Sequence, residues 1–152
     1  MGILSEINTI NVRPLSGKVY FTVTDISHLP EFPKGPLLEL LHGELFMVPS
    51  PTTMHQKISR ELTLKLGPYL EETGEGELFT APIDVILSDE DLVIPDLIIV
   101  AKENLQIVHK KNIQGAPDIV IEILSSNRSQ DLDRKQEIYA KYGVNEYYVV
   151  DP

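Results

Sequence analysis

The chain has 152 residues, of which 42% are hydrophobic and 24% charged, and its formal net charge is −10. This length fits one domain with its own core, and no apolar run is long enough for a membrane span. The charge argues against a passive nucleic-acid binder, which carries a basic surface, but less against a metal-dependent nuclease. Cysteine is absent, which excludes disulfides and thiolate metal sites. With no signal-peptide pattern, we expect a cytoplasmic protein.

The first 36 residues are predicted to form an arm or connector, because they show no sustained periodicity and end in a loop rich in proline and glycine. Residues 24–30 within them resemble a short capped helix. Residues 37–152 are predicted to be the main domain. It begins with a β-hairpin over residues 37–48 that turns at His42-Gly43.

A long helix is predicted after the hairpin. Thr52 or Thr53 can cap its start, and it continues to about Glu72. Gly74 follows at the position where helices end in left-handed backbone. The apolar stripe of this helix, with a spacing of three to four, is Ile58, Leu62, Leu66 and Tyr69-Leu70.

Three strands are predicted after the helix. They are residues 78–87, 92–101 and 117–124. An acidic turn joins the first two as an antiparallel pair. A second helix over residues 130–142 and a strand over residues 147–150 complete the chain, so the last two strands form a parallel pair with a right-handed crossover. The fold class is therefore α/β or α+β, with a mixed central sheet flanked by helices.

Three charged residues lie where packing alone predicts apolar ones. Asp96 interrupts an apolar run in the second strand, and Glu122 lies in the middle of the third, which has the composition of a strand buried on both faces. A carboxylate there costs several kcal/mol unless a cation, a metal or a proton compensates. Lys135 shares one helical stripe with a leucine and two tyrosines, so it is predicted to face inward and to meet Glu122.

Two carboxylates on neighbouring strands, without cysteine or paired histidines, form a hard oxygen site that suits Mg²⁺ or Mn²⁺ rather than Zn²⁺. A lysine beside such a metal can orient or deprotonate the attacking water. Asp96, Glu122 and Lys135 therefore predict phosphodiester hydrolysis. The alternative is structural: Glu122 and Lys135 form a buried ion pair, and Asp96 caps a turn after Pro95.

The order of these residues resembles the PD-(D/E)XK nuclease pattern in a variant form. The residue two positions after Glu122 is Leu124 rather than lysine, and the lysine lies on the following helix instead. From residue 39 to residue 152 the chain resembles the Uma family of "putative restriction endonucleases". The matching stretches are ELLHGEL (39–45), His55 with its helix, APIDVIL (81–87), IPDLIIV (94–100), GAPDIVIEILS (115–125) and DLDRKQEIYAKYGVNEYYVVDP (131–152).

The resemblance implies a restriction-endonuclease-like αβββαβ core and a Mg²⁺-dependent endonuclease acting on DNA. It also implies that Asp96, Glu122 and the backbone carbonyl of Ile123 bind Mg²⁺ or Mn²⁺, and that Lys135 acts on the water. A catalytically inactive module of the same fold, with a nucleic-acid-binding or regulatory role, is the alternative. Chains of this family usually continue past the Val-Asp-Pro element with further strands, so the resemblance implies a C-terminally truncated domain. The sheet edge that truncation exposes would favour pairing between chains, so we expect a homodimer.

Three further residues are accessory candidates for the site. Glu44 in the hairpin would add a carboxylate, His55 at the helix start would contact phosphate or metal-bound water, and Asp84 has the strand parity to face the site. For each, an ordinary surface or helix-start role is the alternative. One basic cluster either guides a nucleic-acid backbone or belongs to a solvated loop; it comprises Lys102, Lys110 and Lys111.

Overall fold

The computed structural model describes residues 13–15, 18–30, 35–125 and 132–152, with side chains from residue 19 onward. The helices are α1 (Val23–Ser27), α2 (Thr53–Thr73) and α3 (Leu132–Tyr142), and a 3-10 helix covers Lys102–Ile107. The strands are β1 (Arg13–Leu15), β2 (Lys18–Tyr20), β3 (Leu37–Leu41), β4 (Glu44–Val48), β5 (Gly76–Thr80), β6 (Val85–Ile86), β7 (Leu92–Val93), β8 (Leu97–Ala101), β9 (Ile113–Gln114), β10 (Ile119–Ile123) and β11 (Glu146–Val150).

Two mixed sheets form the body of the protein. The first has the strand order β11-β10-β8-β5 and the second β4-β3-β7-β6-β9, while β1 and β2 form a separate hairpin. In the first sheet β10 pairs antiparallel with β8 and parallel with β11, and α3 connects the parallel pair. The predicted mixed sheet with flanking helices is confirmed. Residues 130–131 of the predicted second helix lie outside the described residues, and the dimer expected at the β11 edge stays a prediction.

The hairpin β3–β4 and the helix α2 lie where the sequence predicts them. The turn residues His42 and Gly43 have φ values of 53° and 76°, which matches a tight hairpin turn with left-handed backbone. The hydroxyl of Thr52 accepts the His55 N–H at 3.2 Å and so caps α2, and Gly74 ends this helix at φ 66°. Local turn and cap chemistry accounts for both elements.

The two long strands predicted at residues 78–87 and 92–101 are each divided in two. Pro82 and Pro95 lie at the breaks, where proline has no N–H to donate to a ladder. As a result β5 pairs with β8 in the first sheet, whereas β6 pairs with β7 in the second. The chain crosses between the sheets in both segments, and Asp96 lies at the crossing between β7 and β8.

The first sheet is packed between two helices. On one face, three members of the predicted apolar stripe of α2 (Ile58, Leu62 and Leu66) pack against Leu97, Ile121 and Ile123, whereas Tyr69 of that stripe is exposed. On the other, Ile138 and Tyr139 of α3 join a core of strand residues; those include Val85, Val93, Ile98, Val100 and Val120. The central strands of this sheet are therefore covered on both faces, which explains their continuous apolar character.

The helix α1 packs directly against the domain proposed to begin at residue 37. Its side chains Val23 and Ile26 contact a small core cluster formed by Leu40, Leu92 and Ile94. Its capping box at Thr22 and Asp25 matches the capped helix predicted at residues 24–30. Within the described ranges, none of the helices has both the length and the apolar character needed to cross a bilayer.

A substitution at Gly76 can test the close approach of β5 to β8. A Cβ atom at this position would lie 2.5 Å from the carbonyl oxygen of Val100, so the backbone of one strand would have to move. We expect Gly76→Ala to lower the free energy of unfolding by about 1–3 kcal/mol in urea denaturation. Glu77→Ala, at the next exposed position, is the control and should change it little. Wild-type stability in Gly76→Ala would contradict this packing.

Candidate active site

Four charged side chains are buried together where the two sheets and α3 meet. They are Glu39 on β3, Asp96 between β7 and β8, Glu122 on β10 and Lys135 on α3, and each is between 3% and 6% exposed. The structure thus brings the three residues predicted from the sequence to one place and adds Glu39. Such burial is costly for charged groups unless they are paired.

Lys135 connects the carboxylates of two different sheets. Its Nζ donates to Oε1 of Glu122 at 2.9 Å and to Oε1 of Glu39 at 2.8 Å. Burial acts to lower the pKa of Lys135, but the charges of Glu122 and Glu39 outweigh burial and raise this pKa above its usual value. Lys135 is therefore held as a cation. It can orient a water or offset negative charge, whereas deprotonating a water requires the neutral amine.

Glu122 lies in a strongly negative environment. Burial raises the pKa of Glu122, the charge of Lys135 opposes this rise, and the charges of Glu39 and Asp96 add to it. The hydroxyl of Tyr139 also donates to Oε1 of Glu122 at 3.0 Å. Burial, and then the charge of Glu122, raise the pKa of Tyr139 well above its usual value, so its hydroxyl stays protonated and remains a donor.

Asp96 is held by contacts at both carboxylate oxygens. Its Oδ2 accepts the Ile123 N–H at 2.7 Å, and its Oδ1 lies 2.9 Å from Nε2 of His55. Because the N–H and C=O of one strand residue point to the same side, the carbonyl of Ile123 also lies on the Asp96 side of β10. Asp96 thus contacts the backbone next to Glu122, and its charge contributes to the raised pKa of Glu122; the metal site itself stays a prediction.

Glu39 is the site residue that the sequence prediction missed. Its Oε1 accepts the Ile94 N–H at 2.8 Å in addition to the bond from Lys135. The signal was present, since Glu39 is the central residue of the apolar strand Leu37–Leu41. Glu122 was identified as a carboxylate inside a buried strand, and Glu39 meets the same criterion.

The accessory candidates have different surroundings. Glu44 is half-buried on β4 and forms an ion pair with Arg134 of α3 at 3.0 Å. His55 contacts Asp96 directly, as described above. Asp84 is exposed in the break between β5 and β6, where strand parity no longer applies. Within the described residues, its side chain forms no hydrogen bond or ion pair with Asp96 or Glu122.

Two surface pockets meet at Asp96 and His55. One, of about 130 Å³, is mainly apolar and includes Leu37, Val48 and Ile94 in its lining. The other, of about 260 Å³, is more polar and follows α2. Asp96 lines both pockets, so the buried charged residues meet the surface at this residue.

The chemistry of the cluster fits a divalent cation. No group of three or more histidine, cysteine, aspartate or glutamate side chains is placed to hold a metal ion within the described residues. Mg²⁺, however, usually takes one or two carboxylates and keeps several waters, and the predicted set is two carboxylates with one backbone carbonyl. Lys135 also pairs with two buried carboxylates at once, those of Glu39 and Glu122, and a cation near them would compensate the remaining negative charge.

Comparison with known proteins agrees with the motif resemblance. The family model "Uma2: Putative restriction endonuclease" matches residues 23–152. The chain belongs to this family. It shares its fold with a crystal structure from Anabaena variabilis ATCC 29413, described as a putative nuclease belonging to DUF820, at a TM-score of 0.71 and 23% identity over 87% of this chain and 74% of that one. No curated protein matches the sequence.

Lys135 offers a test of the buried network in this Uma2 protein. Lys135→Met leaves the carboxylates of Glu39 and Glu122 buried without their cation, and we expect it to lower the free energy of unfolding by about 3–5 kcal/mol. Lys141→Met is the matched control, because Lys141 lies on the same helix but is exposed and 3.6 Å from Asp91. The Lys141→Met substitution should lower the free energy of unfolding by far less. Similar costs for the two substitutions in chemical denaturation would contradict the network.

Proposed function

We propose that this Uma2 family protein is an endonuclease that requires Mg²⁺ or Mn²⁺ and hydrolyses phosphodiester bonds of DNA. The observation that carries the proposal is the buried pair of Glu122 and Lys135, next to which Asp96 contacts the Ile123 N–H and lines two surface pockets. Two carboxylates can bind a divalent cation and a lysine can orient a water, which together suit metal-assisted hydrolysis of a phosphodiester. Family membership supports the same function.

Asp96, Glu122 and the backbone carbonyl of Ile123 would hold the metal ion. When bound, the ion would supply Lewis-acid stabilisation of phosphate charge and a more acidic water. Lys135, protonated and pointing its N–H groups at the carboxylates, would orient that water and offset charge on the phosphate. We assign it this orienting role rather than the role of a base, since its neighbours raise its pKa.

Other side chains hold these groups in place. His55 and the Ile123 N–H fix the carboxylate of Asp96 through its two oxygens. Tyr139 fixes Glu122, and Glu39 fixes Lys135 from the opposite side. Partners of this kind restrict the rotation of ligand side chains and so position them before substrate arrives.

A catalytically inactive module with a nucleic-acid-binding or regulatory role is the second candidate. One observation favours it: both oxygens of Asp96, and Oε1 of Glu122, already have protein partners. A metal ion would have to compete with these hydrogen bonds for the same oxygens. The two experiments below separate this candidate from the nuclease.

The first experiment measures DNA cleavage. With supercoiled plasmid and Mg²⁺ or Mn²⁺, we expect Asp96→Asn and Glu122→Gln to lower the cleavage rate by at least about 100-fold, because each removes a carboxylate that would hold the metal ion, whose positive charge stabilises the transition state. Glu137→Gln, an exposed carboxylate on α3, is the matched control and should cleave normally. Circular dichroism checks that each variant is folded. Normal cleavage by either site variant would refute this assignment.

The second experiment measures metal binding without DNA. Titration of the wild-type protein with Mn²⁺ in a calorimeter should show binding at millimolar concentration or tighter, and Asp96→Asn should weaken it at least tenfold, because a ligand carboxylate is lost. The Glu137→Gln variant should bind as the wild type does. A wild-type protein that takes up no Mn²⁺ at millimolar concentration would favour the inactive module.

A further inference from the structure

We propose that the exposed face of the first two turns of α2 binds the phosphate backbone of the nucleic-acid strand that is presented to Asp96. We call this face the α2 phosphate surface; it comprises Thr52, Thr53, Gln56, Lys57 and Arg60. The inference rests on the proposed function and extends it, since it assigns the substrate a binding surface and a direction of approach along α2.

The α2 phosphate surface is continuous with the candidate active site. An open groove runs over all five of its residues. The more polar of the two pockets described above is also lined by Gln56 and Arg60, and it ends at His55 and Asp96. A strand lying in this groove would therefore bring one of its phosphates to Asp96 while the neighbouring phosphates lie along α2.

The charge of this surface suits phosphate. Thr53, Gln56, Lys57 and Arg60 are spaced by three and four residues, so they share one face of the helix. The start of α2 adds N–H groups without intrahelical acceptors and the positive end of the helix dipole. Arg60 pairs with Glu61 at 2.7 Å, but both side chains are exposed. Such a pair is weak, and the guanidinium can bind a phosphate instead.

A buried atom beside this surface supplies independent support. The side chain of His55 is only 9% exposed, and its Nε2 is used by Asp96. Its other ring nitrogen, Nδ1, is buried and has no hydrogen-bond partner within the described residues. A buried polar atom without a partner is uncommon and points to a missing ligand or water. His55 lines the pocket between Arg60 and Asp96, so this unsatisfied nitrogen belongs to a residue at the end of the proposed phosphate path.

Two other surfaces fit a phosphate backbone less well. The pocket lined by Leu37, Val48 and Ile94 is mainly apolar. The basic cluster of Lys102, Lys110 and Lys111 begins after the end of β8, whereas Asp96 precedes its start. Lys102 follows Asp96 by six positions along the extended chain, roughly 20 Å. With a net charge of −10, the protein needs local cations close to the site, and α2 supplies them.

The salt dependence of DNA binding tests the proposal. Fluorescence anisotropy of a labelled DNA duplex, in EDTA to prevent cleavage and between roughly 50 and 200 mM KCl, gives the slope of log K against log salt. In the double variant Lys57→Gln/Arg60→Gln we expect this slope to be smaller than that of the wild type by about 0.9 for each phosphate that is no longer neutralised, so about 1.8 for the two. The matched control, Lys110→Gln/Lys111→Gln, removes the same charge elsewhere and should keep the wild-type slope.

The outcomes separate this proposal from the nuclease assignment. A slope that falls in the control but not in the α2 variant would overturn the α2 phosphate surface, and so would a wild-type protein that shows no salt-dependent binding. If the slope falls in the α2 variant but the wild-type protein never cleaves DNA with added metal, the binding surface stands and the nuclease assignment fails. Both variants change exposed side chains, so their folding should match that of the wild type in circular dichroism.

Discussion

The paired contact of Lys135 with Glu122 and Glu39 is the constraint on which the rest of the structure depends. It joins α3 to the central strand of the first sheet and to the hairpin of the second. Removing these charges from water is costly, and the arrangement is tolerated because each carboxylate accepts a strong, charge-assisted hydrogen bond. Loss of one partner would leave the others buried and uncompensated, so the two sheets and α3 are held at this point in one arrangement.

Under the proposed function, the same contacts would serve a structural and a chemical purpose. A buried ion pair was the structural alternative for Glu122 and Lys135, and the pair is present. It does not compete with the nuclease hypothesis, because a ligand carboxylate and a lysine near a metal must also be positioned by neighbours. Asp96 is the residue that distinguishes a chemical role from a purely structural one. It lies where the chain crosses between the sheets and lines two surface pockets.

The variant position of the lysine follows from helix geometry. The chain has Leu124 where the PD-(D/E)XK pattern has lysine, and the inward stripe of α3 carries Lys135 instead. Its Nζ reaches Oε1 of Glu122 from the following element. A helix packed on the face of a strand can thus supply the cation that the strand itself lacks. This contact was predictable because a helical stripe and a strand's buried residue, separated by 13 positions, leave few possible partners.

The sequence by itself determined the hairpin, the caps of α2, the parallel crossover and the inward direction of Glu122 and Lys135. All of these depend on short-range signals: turn residues, capping residues and hydrophobic periodicity. Only the tertiary structure decided that Glu39 joins Lys135 across 96 residues, that His55 holds Asp96, and that Asp84 stays exposed. Periodicity shows which way a side chain faces within its own element. It cannot show which elements meet. The chain crosses between the two sheets at the breaks near Pro82 and Pro95, and these crossings determine which elements meet.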